Sequence, residues 1–150
     1  KIIMDALIQP IVKPLGNLYA KAPALPAGGR DFLVTIAPWL SLVFGVLTVI
    51  GSLSAFGVGA VYSPFYAMAG VSPVFLMIIG VVGLIQGAIM VLAFAPLRKR
   101  SLRGWNLLFL SEIVAIVSSV ISINVGSIVM AVVFAAIAFY LLFQVKPSYT

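Results

Sequence analysis

Two long apolar runs flank the short basic turn Arg98-Lys99-Arg100-Ser101-Leu102-Arg103, and two more apolar runs lie in the rest of the chain. Together they read as spans at about 32–56, 73–95, 103–123 and 127–145. A helix of about 20 residues at about 1.5 Å per residue just crosses a hydrocarbon core of about 30 Å. The remaining composition leaves no soluble alternative. Of 150 residues, 63% are hydrophobic and only 8% are charged, with a mean hydropathy of +1.26. Soluble domains carry about 25% charged residues, because water must be met by polar groups. The solvent for most of this surface is therefore lipid. The expected fold is all-α: an integral membrane bundle of four transmembrane helices with an N-terminal amphipathic interfacial helix.

Charge sets the expected orientation. The N-terminal segment holds Lys1, Lys13, Lys21 and Arg30, the central turn holds Arg98, Lys99, Arg100 and Arg103, and the tail holds Lys146. With four spans, all nine Lys and Arg fall on one side. The positive-inside rule then places both termini and residues 97–104 in the cytoplasm. A net charge of +6 in short loops beside apolar spans sets topology, and nucleic acid is not an expected partner.

Residues 1–22 have no uninterrupted apolar stretch of the kind a signal peptide needs. Instead Lys1, Asp5, Gln9, Lys13, Asn17 and Lys21 recur every four residues, and Ile3, Leu7, Ile11 and Leu15 recur at the same step. A step of four keeps each set on one helical face. Pro10 and Pro14 kink such a helix or divide it in two. It would lie in the headgroup plane or pack on a protein surface. Residues 23–31, with two prolines and Gly28-Gly29, read as a linker.

Gly57-Val58-Gly59 reads as the end of the first span. An uncharged loop to Ser72 follows, with Tyr62, Phe65 and Tyr66 suited to a membrane interface. Pro96 closes the second span, Asn124-Val125-Gly126 turns the third into the fourth, and Lys146-Pro147 opens a tail over 146–150. Trp105 and Asn106 read as the interfacial anchor of the third span. Trp39 and Trp105 sit at similar depths, but the halves otherwise match poorly, so no internal repeat is expected.

The residue inventory restricts the chemistry. There is no Cys and no His, and the only acids are Asp5, Asp31 and Glu112. Catalysis, a metal centre and a cofactor site are not expected from this set. Glu112 is the one ionisable residue well inside a span, where a charge costs about 2.5 kcal/mol or more. It reads either as a proton or cation site or as a hydrogen-bonded acid that holds helices together. Glu112 lies eight residues in from Gly104, roughly 12 Å, and Gln86 lies ten back from Pro96, roughly 15 Å. Ser41 enters at a comparable depth. Glu112, Gln86 and Ser41 therefore form the candidate polar cluster, with a Glu112–Gln86 hydrogen bond.

Small residues also recur at helix-packing spacing: Ser41 and Gly45, Gly83 and Gly87, Ser111 and Ala115, Ser118 and Ser122, and Ser127, Ala131 and Ala135. They serve packing within one chain or between chains. Arg98, Lys99, Arg100 and Arg103 are the candidate contacts for anionic headgroups, each adding about 1 kcal/mol near the surface, or they set topology alone.

Arg98 to Phe109, with Trp105-Asn106-Leu107-Leu108-Phe109 after the basic turn, resembles small four-span membrane proteins of bacteria with reduced genomes. Ile11-Val12-Lys13-Pro14 and Phe139-Tyr140-Leu141-Leu142-Phe143-Gln144 extend the likeness over most of the chain. The resemblance implies the four-span topology and no catalytic residue. The expected role is structural: a membrane protein that self-associates, with the lipid bilayer and further copies as partners. The alternative is a small oligomeric transporter or channel using Glu112. Helices of these lengths leave little room for a central cavity, so a conduit would need several copies.

Overall fold

The computed structural model describes residues 2–70, 72–121 and 125–150. It is all-α. The helices are α1 (Ile2–Tyr19), α2 (Ala27–Met68), α3 (Pro73–Arg98), α4 (Leu102–Ile121) and α5 (Val125–Val145), followed by a 3₁₀ turn at Lys146–Ser148. Four of them, α2 to α5, are long and apolar enough to cross a membrane.

α2 runs unbroken for 42 residues, through Gly57 and Gly59 and through Pro38 and Pro64. The expected stop at Gly57-Val58-Gly59 is therefore absent, and Tyr62, Phe65 and Tyr66 are helical rather than in a loop. A Gly inside a helix costs only about 1 kcal/mol against Ala. In an apolar environment no water replaces a broken backbone bond, so the helix continues. The actual stop is Gly70, whose φ of +74° only a residue without Cβ adopts freely. Ser72 is then extended and Pro73 opens α3, where its missing donor costs nothing. At the other end, α2 begins at Ala27, so the second half of the expected linker, Gly28 to Asp31, is helical. Pro10 and Pro14 both lie inside a single α1. The Asn124-Val125-Gly126 reversal falls partly outside the described residues.

The helices pack mainly in chain order, α2 on α3, α3 on α4 and α4 on α5, with smaller contacts of α2 on α5 and of α1 on α4 and α5. Small residues permit the close crossings. A Cβ on Gly45 would sit 2.9 Å from the Val91 nitrogen, and one on Gly87 would sit 2.9 Å from the Gly45 carbonyl oxygen. Between α3 and α4, a Cβ on Gly104 would lie 2.6 Å from the Leu97 nitrogen.

The core lies at the end that carries the basic turn. Trp105 and Phe109 of α4 stack at 5.3 Å, and Phe139 and Phe143 of α5 pack on them. Trp105 is 1% exposed and donates its indole N–H to the Leu142 carbonyl at 2.7 Å. It is thus an interior residue and not the expected interfacial anchor; the Leu142 carbonyl satisfies its polar edge, so no water is needed. α1 buries Ile8 and Val12 in this core, and Tyr19 stacks on Phe143. The segment from Pro23 to Pro26 is tied to α5. The Pro23 carbonyl accepts from the Tyr140 hydroxyl at 2.7 Å and from the Gln144 amide at 3.2 Å, and Leu25 N–H donates to Gln144 Oε1.

The basic turn is a Schellman cap. Ser101 N–H donates to the Pro96 carbonyl and Arg100 N–H to the Leu97 carbonyl, both at 2.9 Å, around Arg100 at φ 50°. Thr150 braces it: its N–H donates to the Arg100 carbonyl, and its carbonyl accepts from Leu102 N–H, both at 3.0 Å.

Candidate functional site

α2 and α5 touch only sparsely, and the space between them is only partly filled. A cavity of about 230 Å³ remains there, walled by Leu33, Ile36, Leu40 and Phe44 of α2, Trp105 and Leu108 of α4, and Leu141 and Val145 of α5. Room for a cavity was not expected from helix lengths. It lies beside α4, where the sparse α2–α5 contact leaves a gap.

Three polar residues line this apolar space: Ser41, Glu112 and Tyr149. Ser41 is buried and donates its hydroxyl to the Met90 carbonyl, which lies on the same wall. Glu112 is half-buried, and its side chain has no hydrogen bond or ion pair with a described residue. Tyr149 is 5% exposed, and its hydroxyl oxygen is buried without a partner among the described residues. Burial pushes the Tyr149 phenol above its ordinary pKa, while the positive charge of Arg100 pulls it back.

Two of the three expected cluster members are therefore brought together. Gln86 is not a described wall residue of the cavity, and no hydrogen bond joins it to Glu112. Gly104 lies against Leu97, so Glu112, eight residues on, is level with Ile89, and Gln86 is three residues deeper, about 4.5 Å.

Tyr149 carried no signal in the sequence, because a tyrosine in a five-residue tail after Lys146-Pro147 reads as solvent-facing. Only the bracing of Thr150 on the turn brings it inside. Trp105 was visible, but as an anchor rather than a wall.

The four basic residues of the turn divide by surroundings. The Arg98 guanidinium stands 5.7 Å from the Trp39 ring centre and 5.6 Å from that of Phe94. Arg100 is the residue at positive φ. Lys99 and Arg103 flank Ser101 along a separate groove between α3 and α4, walled by Leu92, Ala95, Pro96 and Leu107. Lys146, outside that turn, lies 4.8 Å above the Trp105 ring.

Of the small-residue pairs, Gly45, Gly83 and Gly87 form the α2–α3 crossing with Ser52 and Val49, and Ser41 bonds α3 directly. Ser111 is buried but donates within its own helix to Leu108, and Ala135 is buried on α5. Ser118 is half-buried on α4; the rest of its expected pair, Ser122, lies outside the described residues.

Comparison with known proteins finds no matching family model, no matching curated protein and no matching solved structure.

Proposed function

We propose that this chain is a structural protein of a bacterial inner membrane that assembles with copies of itself. Both termini and the basic turn lie on the cytoplasmic side. α1 rests at the headgroup level, with Ile11 and Leu18 toward lipid and Ile8 and Val12 on its own core. Lys99 and Arg103 are the turn residues best placed for anionic headgroups, since Arg98 is occupied by two aromatic rings. The likeness of Arg98–Phe109 to small four-span proteins of reduced-genome bacteria supports the same topology. No catalytic, metal or cofactor role is assigned.

The observation that carries the assembly reading is the length of the α2–α3 hairpin. At 42 residues α2 is about 63 Å long, against a hydrocarbon core of about 30 Å. Through the contacts Gly104–Leu97 and Gly80–Phe56, Ile121 at the described end of α4 is level with Gly80 and Phe56. Beyond that level α2 continues from 57 to 68, about 18 Å. This arm has no charged residue, and Val58, Val61, Tyr62, Phe65, Met68, Val74 and Met77 are all exposed on it. An uncharged apolar arm that outruns the bilayer is stable only if tilted or covered, and an arm of a second copy has matching surface.

The chain has no native cysteine, so a single one can report proximity. Phe65→Cys should form disulfide-linked dimers in membranes under mild oxidation, and Lys99→Cys at the repelling basic end should not. Absence of linkage at position 65, or equal linkage at both, would contradict the reading.

A second reading, a small oligomeric transporter or channel, is favoured by one observation: Glu112 lines a cavity rather than a sealed helix contact. It requires wild-type protein in proteoliposomes to carry an ion or proton flux that Glu112→Gln abolishes.

A further inference from the structure

The cavity between α2, α4 and α5 contains more polar capacity than its walls satisfy. Glu112, half-buried on its wall, has neither a hydrogen-bond partner nor a cation beside it among the described residues. Unmet buried polar groups are costly, more so beside hydrocarbon. In native structures they are paired, hydrated or matched by a ligand.

We propose that this cavity is a binding site for a small apolar amine that enters from the bilayer. An ammonium group offers three donors and no acceptor. The Glu112 carboxylate on the cavity wall offers the reverse. No Lys or Arg is among the described wall residues, so no protein cation competes for Glu112. A ligand carboxylate or phosphate would instead meet Glu112 as a like charge. The walls select the rest of the molecule. Leu33, Ile36, Leu40, Phe44 and Leu141 demand an alkyl or aryl body. At about 230 Å³ the space is below the range of about 300–1,000 Å³ typical of drug-sized ligands, so the body is short. The wall residues Leu40 and Phe44 are themselves 42% and 53% exposed, which places the opening on the lipid-facing side of α2. The proposal does not depend on self-association, since every group it uses belongs to one copy.

The test uses the full chain in nanodiscs of zwitterionic lipid, with empty nanodiscs as the blank for partitioning. Hexylamine, hexanol and hexanoate are titrated calorimetrically. Hexylamine should bind saturably, hexanol roughly tenfold more weakly, and hexanoate not above the blank. Glu112→Gln, which keeps the shape of the side chain, should weaken hexylamine roughly tenfold. Ala138→Phe, which fills the space from α5, should abolish binding while circular dichroism and thermal unfolding show an intact fold. Equal binding of the three probes, hexylamine binding equal to the blank, or an unchanged affinity in a folded Glu112→Gln protein would overturn the proposal.

Discussion

Arg100 adopts a left-handed backbone, and this conformation costs about 1–2 kcal/mol for a residue with a Cβ. The two Schellman bonds and the Thr150 brace hold it there. Arg100→Gly removes the Cβ cost while keeping every backbone bond. It should therefore raise the unfolding free energy by about 1 kcal/mol, read as a higher midpoint in thermal unfolding in detergent. A lower midpoint would show that the Arg100 side chain itself contributes more than the strain costs. At this scale the sequence was informative about charge and uninformative about burial. The basic turn could be placed from composition alone, because Lys and Arg cannot enter hydrocarbon cheaply. The interior position of Trp105 could not, because it depends on one carbonyl of a helix some 37 residues away. Tyr149 is a stronger case: its burial follows from how Thr150 pairs with Arg100 and Leu102, and nothing local encodes that.

The helices show what spacing can and cannot reveal. Glycines four apart, Gly83 and Gly87, predicted a close crossing, and they meet Ser52, Val49 and Gly45 of α2. Gly87→Ala should therefore damage the α2–α3 pair, since its Cβ would meet backbone atoms that cannot rotate away. The expected loss is about 1–3 kcal/mol, measured as a lower unfolding midpoint. Gly51→Ala is the control: a Cβ there meets nothing within 4 Å, so it should be neutral or slightly stabilising. Equal effects of the two would refute the crossing. Helix ends were harder to read than helix faces. Gly57 and Gly59 looked like a stop because glycine ends helices in water, where solvent takes over the freed backbone groups. Gly70, followed by Pro73, has the backbone reversal that a real stop needs. For Glu112 and Gln86, depth counted from helix ends gave an offset of about 3 Å, close to the roughly 4.5 Å set by the Gly104–Leu97 contact, so similar depth alone did not make a pair. The Ser41–Glu112 half of the cluster survived because both residues face the same gap.

For the whole molecule, α2 and α5 meet only sparsely, and the cavity beside Glu112 lies where that contact is incomplete. Hydropathy foretold four spans but not their order of contact, since every apolar helix face is equally acceptable to lipid. The α2–α3 hairpin, longer than the bilayer and ending in an uncharged arm, is what leads from architecture to assembly. The most direct measurement is the number of subunits per particle in native membranes, counted by stepwise photobleaching of a fluorescent fusion at native expression, in nanodiscs excised without detergent. The account predicts two or more steps in most particles, falling to one when Val61, Phe65 and Met68 on the arm are replaced together by Ser. A single step in nearly all wild-type particles would contradict it.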